Sequence, residues 1–306
     1  MPALGEESRM KKSSDSIVEK RFSCLRNCPL NQTGMGFFEL LERPDSCGEI
    51  GSVTVSRDKN VCSFLLRFAP TGNFVADPYV IICGKTADWS TQEKFWRQSR
   101  AGAPAAAAYE NIFSTAQTRN TLYQELSKIG LFDFLRMVKP DKWEKHESQE
   151  VWNKLFLRDS WQDDYGLQLT QACNCAILRT TGRRSRQPER KTVQAIAQQN
   201  PSCLFSSFPE PDCLTNLKLV IFLDTPSDDT QFHPAYFFHD SDLGRAYERV
   251  GIRIISIPHP AGLNYGNMKP DNLSVESGSV REANAARLLT VAEETISTIM
   301  DTCIIQ

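Results

Sequence analysis

With 306 residues and 41% hydrophobic content, the chain can bury a substantial core as one large domain or one domain plus an extension. A net charge of −2 excludes a uniformly basic nucleic-acid binder, so any contact with a polyanion must come from a local basic patch. No apolar run approaches the roughly 20 residues that span a bilayer, and the start, MPALGEESRMKKSSDS, lacks the apolar stretch of a signal peptide, so a soluble, cytoplasmic protein without membrane contact is expected.

In chain order, residues 1–20 are polar and read as a mobile tail. Residues 21–73 read as an N-terminal extension packing on the core, with a helix near Gly36 to Glu42 and short strands at Ser52 to Val55 and Val61 to Phe68. From 74 to 306 the pattern becomes that of one α/β domain. Four apolar segments rich in Val or Ile follow one another: Tyr79 to Cys83, Asn174 to Leu178, Leu217 to Leu223 and Ile252 to Ile257. Polar or helical stretches separate them, which predicts an α/β fold with a short four-stranded parallel sheet and helices on both faces, a three-layer α/β/α arrangement.

Periodicity marks the helices. Leu122, Leu126 and Ile129 form an i, i+4, i+7 stripe that ends at Gly130. Pro188 to Asn200 opens with a proline and stops before Pro201, and Asp240 to Val250 precedes the last strand. The final helix opens on Ser279-Val280-Arg281-Glu282, a capping-box pattern, with Leu288, Ala292, Ile296 and Ile299 toward the core. The stretch at about 137–171 is charged and carries Trp143, Trp152 and Trp161, and it reads as a helical insert.

The ten cysteines are scattered, the pattern of reduced thiols rather than a disulfide framework. Cys24, Cys28, Cys47 and Cys62 match no compact metal spacing. Cys83, Cys175 and Cys303 sit in apolar runs and behave as small hydrophobes. Neither metal nor cofactor is expected.

The carboxyl ends of parallel strands are where open α/β sheets place ligands, and here they carry polar groups. The first strand leads into Gly84-Lys85-Thr86-Ala87-Asp88, a small-residue turn at which Gly84 and Thr86 let the backbone approach a ligand. Asp88 suits either the activation of a water or a helix N-cap. Asn174 offers a donor and an acceptor together, the pairing that reads an amide edge of a base. Arg179, Arg183, Arg184 and Arg186 follow, a density that suits phosphate contact or a solvated loop. In GIRIISIPHPAGLN, Pro258 and Pro260 stop the last strand and fix His259 at its end. A neutral imidazole there can donate to a developing oxyanion. Leu263 suits a wedge into stacked bases or simple packing, and Asn264 lies beside it as a further DNA contact.

In order and spacing these residues resemble the uracil-DNA glycosylase superfamily over roughly Phe74 to Met300. VIICGKTAD is similar to the Gly-rich, water-activating motif after the first strand, NCAILRTTGRRSRQP to the second-strand motif whose Asn reads the base, LKLVIFLD to the third strand, and ISIPHPAGLN to the His-Pro-Ser motif after the last. The chain looks closest to the bacterial glycosylase-like proteins of unassigned substrate, with Ala261 in place of the serine and Ala87-Asp88 in place of Pro-Gly. Asp77-Pro78-Tyr79 resembles the Asp-Pro-Tyr of the family but precedes the first strand, and His233-Pro234 has no apolar strand directly before it. Both are set aside.

The resemblance implies a DNA glycosylase that flips out a damaged or modified pyrimidine and hydrolyses its N-glycosidic bond, without metal or cofactor. Asp88 would hold the hydrolytic water, Asn174 would read the base and His259 would receive the base anion. Phe113, in NIFSTAQTRNTL, looks like the ring that stacks on the flipped base, and it equally suits a core position. Two other classes remain open: a catalytically weak module that binds DNA or a modified base, as in defence against foreign DNA, and a hydrolase of free nucleosides or nucleotides.

Overall fold

The computed structural model describes residues 25–26, 28, 31–36, 39–40, 43, 49–57, 60–68, 72–73, 75, 77–86, 116–156, 164–179, 204–224, 233–260 and 280–304. It is an α/β protein built on a four-stranded parallel sheet. The strands are β3 (Val80–Thr86), β4 (Leu167–Cys173), β6 (Leu219–Asp224) and β7 (Arg253–Pro258), in the order β4-β3-β6-β7. All three neighbouring pairs are parallel, with Val80 opposite both Leu167 and Leu219, and Leu219 opposite Arg253.

Near-continuous apolar runs make these strands, because both faces are covered. On one face Val80, Ile82, Leu167, Leu169, Leu219, Ile221, Ile255 and Ile257 bury against helices. These are α1 (Ala116–Lys128), α2 (Leu131–Val138), α3 (Pro140–Trp143), α4 (Ser148–Lys154) and α7 (Val280–Ile304). On the other face Ile81, Cys83, Ala172, Val220 and Phe222 bury against an aromatic cluster of Phe205, Phe208, Phe238 and Tyr247. The helices α5 (Pro234–His239) and α6 (Asp242–Arg249) carry the last two of those rings. The alternation of residues between two cores is what a period-2 strand buried on both sides requires, and the result is three layers.

A second, antiparallel sheet joins the same side. The strands β1 (Glu49–Arg57) and β2 (Asn60–Phe68) form a hairpin, and β2 pairs with β5 (Cys175–Arg179). Leu25, Cys28, Leu40, Ile50, Val53, Leu66 and Phe68 of the N-terminal segment are buried in the core that also holds Ile81 and Phe222.

Three sequence expectations are corrected here. Asn174 to Leu178 is not a strand of the parallel sheet: among the described residues β5 pairs with β2 alone, and the parallel strand is the segment before it, β4. Gly84, Lys85 and Thr86 do not form a turn but complete β3, with Gly84 opposite Gln171 and Thr86 opposite Cys173. The expected insert at 137–171 ends in β4, which begins at Leu167. Before that strand it supplies α3 and α4, whose Trp143 and Trp152 are fully buried and donate their indole N–H groups to Tyr165 O at 3.0 Å and Arg119 O at 3.1 Å.

The helices follow their periodicity closely. Leu122, Leu126 and Ile129 are buried, and Gly130 stands just past α1 with φ +77°, the left-handed conformation of a C′ glycine. Ser241 caps α6 by accepting from Gly244 N at 2.9 Å. On α7 the core stripe is Ala285, Leu289, Ala292, Ile296 and Ile299, so Leu289 rather than Leu288 is the buried leucine. Ser279, the expected Pro188 to Asn200 helix and the tail at 1–20 lie outside the described residues. Among the described residues no helix is long and apolar enough to cross a membrane.

Candidate functional site

The strand order reverses around β3: the chain passes from β3 to β4 on one side and returns to β6 on the other. The crevice outside the carboxyl ends of such strands is where doubly wound sheets bind ligands. The outer strands are about 14 Å apart, three inter-strand spacings. Between them the two central strands, β3 and β6, form the floor.

On that floor stands a charged cluster. Lys85 of β3 is 3% exposed, and its Nζ lies 3.4 Å from Asp224 Oδ1 at the tip of β6, an ion pair too poorly aligned to be a hydrogen bond. Burial lowers the Lys85 pKa, an effect the Asp224 carboxylate partly offsets. Asp224 Oδ1 also meets His233 Nδ1 at 2.7 Å. The backbone N–H of His259 donates to Asp224 O at 2.9 Å, which carries the β6–β7 ladder past Pro258, where proline has no N–H to give. His259 is thereby held over the same edge. Burial, with the Lys85 cation adding to it, pushes its imidazole down to about 4 against the pull of Asp224. It is a neutral imidazole at physiological pH.

Across β3, the end of β4 brings amides. Asn174 is 2% exposed and donates from Nδ2 to Ser206 Oγ at 3.1 Å, while its Oδ1 is buried with no hydrogen-bond partner. Gln171 is 6% exposed, and its Oε1 is likewise unpaired. Ser206 belongs to a turn in which Phe205 takes φ 60°, a conformation a bulky residue adopts only under constraint. The hydrogen bond from Phe205 N to Ala172 O at 2.8 Å, with the packing of its ring against Phe208 and Phe238, holds that turn against β4.

No protein-family model and no curated protein matches this sequence. Function must therefore be argued from the site itself.

Of the residues singled out by sequence, Asn174 and His259 lie at carboxyl ends of the parallel sheet, Asn174 just after β4 rather than at the start of a strand. Gly84 and Thr86 are at the end of β3. Arg179 ends β5 opposite Phe64, in the antiparallel sheet and not on the parallel one. Asp88, Phe113, Arg183, Arg184, Arg186, Leu263 and Asn264 lie outside the described residues. Cys28, Cys83 and Cys175 are buried. Among the described residues no group of three or more His, Cys, Asp or Glu side chains is placed to hold a metal ion.

Sequence reasoning missed Lys85, Gln171 and the Asp224–His233 pair. A lysine and an aspartate at the ends of the apolar runs VIIC and LVIFL were signals of polar strand ends. His233 had been set aside for want of a strand before it, yet it reaches back nine residues to the tip of β6.

Proposed function

We propose that this protein is a DNA glycosylase of the uracil-DNA glycosylase type, acting on a damaged or modified pyrimidine flipped out of the stack. The observation that carries the reading is His259: a half-buried imidazole, kept neutral with its pKa pushed down to about 4, at a carboxyl strand end of a parallel sheet. Cleavage of an N-glycosidic bond leaves the base as an anion. A neutral N–H donor stabilises that anion as charge develops, without first having to lose a proton. Lys85 supports this role because its positive charge opposes protonation of the ring.

Asn174 supplies the second part. Its buried, unpaired Oδ1 sits beside an anchored Nδ2, so the amide is held in place with one end open to a base edge. The attacking water falls to Asp88, or to a group of the cluster around Asp224. The amide and imidazole bind and stabilise, and the carboxylate orients the nucleophile.

The test uses oligonucleotides carrying uracil, hypoxanthine or bulky modified pyrimidines, treated with alkali after incubation. Alkali-labile breaks that depend on His259 are the expected outcome. Retention of the oligonucleotide without breaks would instead make the protein a binder, and turnover of free nucleosides with indifference to DNA would make it a nucleoside hydrolase.

A further inference from the structure

Two histidines meet at the tip of β6. Asp224 O accepts from the backbone N–H of His259 at 2.9 Å, and Asp224 Oδ1 accepts from His233 Nδ1 at 2.7 Å. One residue therefore holds both histidines at the same carboxyl strand end, one through its main chain and one through its side chain. The glycosylase reading uses His259 and gives His233 no part.

The placement of His233 is set by its surroundings. It precedes Pro234, which confines it to extended backbone, here φ −109° and ψ 98°. It stands at the N-cap of α5, yet its side chain makes no capping hydrogen bond and turns to Asp224 instead. The helix itself is anchored by Phe238, fully buried, whose ring lies 5.3 Å from that of Phe222 on β6 and 4.8 Å from that of Phe205. With α5 already seated by this packing, a partly exposed ion pair adds only about 0–1 kcal/mol. Fastening is a weak reason for a carboxylate at the end of the apolar strand LVIFLD.

A carboxylate can only accept, so the proton lies on Nδ1, and in the neutral ring Nε2 carries the lone pair. The three charged side chains of the cluster differ in reach. Those of Lys85 and Asp224 are 3% and 8% exposed, whereas that of His233 is 21% exposed. The imidazole is thus the member that a water at this edge can meet, and the buried carboxylate behind it fixes its tautomer.

We propose that His233 is the general base of the reaction, taking a proton from the attacking water, and that Asp224 is the positioning residue that orients it. This rests on the glycosylase reading and names the group that activates its water. As the N-glycosidic bond breaks, its electron pair leaves with the base, to which His259 donates a hydrogen bond. The water oxygen bonds to C1′ of the sugar, and the proton it sheds passes to His233 Nε2. The Asp224 carboxylate stabilises the resulting imidazolium without itself taking the proton.

The test compares wild type with His233→Gln, which can still donate to Asp224 but cannot act as the base, and with His233→Ala, assayed with and without imidazole in the buffer. Rates are taken on an oligonucleotide carrying the cleaved base, with affinity for undamaged DNA and the thermal midpoint measured alongside. The expected result is a kcat at least about 100-fold lower in both variants, with KM, DNA affinity and the midpoint of His233→Gln near wild type, and partial return of rate to His233→Ala on adding imidazole. A kcat near wild type in His233→Gln overturns the assignment and leaves the glycosylase reading intact. A loss in His233→Ala that imidazole leaves untouched likewise makes the role structural and overturns it. If wild type itself makes no abasic sites, the glycosylase reading falls and takes this assignment with it.

Discussion

At the amino end of the parallel sheet Asp77 has both carboxylate oxygens occupied. Oδ1 accepts from Thr215 N at 3.1 Å and Asn216 N at 3.0 Å, and Oδ2 accepts from Asn216 Nδ2 at 2.9 Å and from the Thr215 hydroxyl. At the carboxyl end Lys85, Gln171 and Asn174 each keep a buried polar atom without a hydrogen bond. The same backbone ladder joins both ends, so the difference lies in the side chains. A saturated carboxylate fixes the segment that leads into β6. At the other end hydrogen-bonding capacity is left unused, which is unfavourable for buried groups.

Four substitutions test that contrast. His259→Ala has the largest expected effect: abasic-site formation falls about 100- to 1,000-fold, while the unfolding midpoint and binding to undamaged DNA stay near wild type. Unchanged cleavage would remove His259 from the mechanism. Asp77→Ala does the reverse. Losing the carboxylate strands Thr215 and Asn216, so urea unfolding should show a loss of about 2–3 kcal/mol, with activity per folded molecule preserved. A fall in kcat larger than the fall in folded protein would bring Asp77 into the chemistry and break the contrast.

Glu125 sharpens it from a third place. It lies on α1, fully buried, with both oxygens unpaired, and burial raises its pKa well above the ordinary carboxyl value. The raised folded-state pKa makes its contribution to stability greatest below the unfolded pKa, and that contribution is lost as pH rises toward the folded value. Glu125→Leu should therefore stabilise the protein at pH 7 by about 1–3 kcal/mol, with a gain that shrinks toward pH 4 and no effect on base discrimination. A loss of stability at pH 7 would show that the carboxyl has a partner in solution.

Lys85→Met is the subtlest. Removing the cation takes away one of the influences holding His259 down to about 4, so the imidazole pKa should rise, as measured by NMR titration. The acid limb of the activity profile would move to higher pH with it. For His259 itself the folded pKa lies below the unfolded one, so its share of stability is present above the unfolded pKa and is lost as pH falls toward about 4. An imidazole pKa that stays put in Lys85→Met would assign the depression to burial alone.

Much of the fold was legible because apolar runs do not depend on distant partners. LVIFL had to be buried on both faces, and β6 is; RIISI also forms its strand, though β7, at the sheet edge, leaves Arg253 exposed and Ile254 and Ser256 half-buried. The second parallel strand was misread for a physical reason. LQLTQAC carries three polar residues and does not resemble a doubly buried strand, yet Ser207 satisfies two of them from a loop 37 or more residues away. NCAIL looked the better candidate, but its partner is the hairpin strand β2, more than a hundred residues earlier. At the site, His259 was legible because two prolines fix its place in the chain. Gln171 was not, since nothing local separates a satisfied glutamine such as Gln168 from an unsatisfied one.

By itself the sequence determined a parallel α/β sheet, the places of three of its four strands, the α1 stripe and most of the α7 stripe, and a histidine fixed at a strand end. Periodicity and proline chemistry act within a few residues, and those features need nothing more. Only the tertiary structure decided which segment lies beside β3, that Asp224 gathers Lys85 and His233, and which buried amides are left open. Register, ion pairing and hydrogen-bond satisfaction are relations between distant residues, and they exist only once the chain has closed on itself.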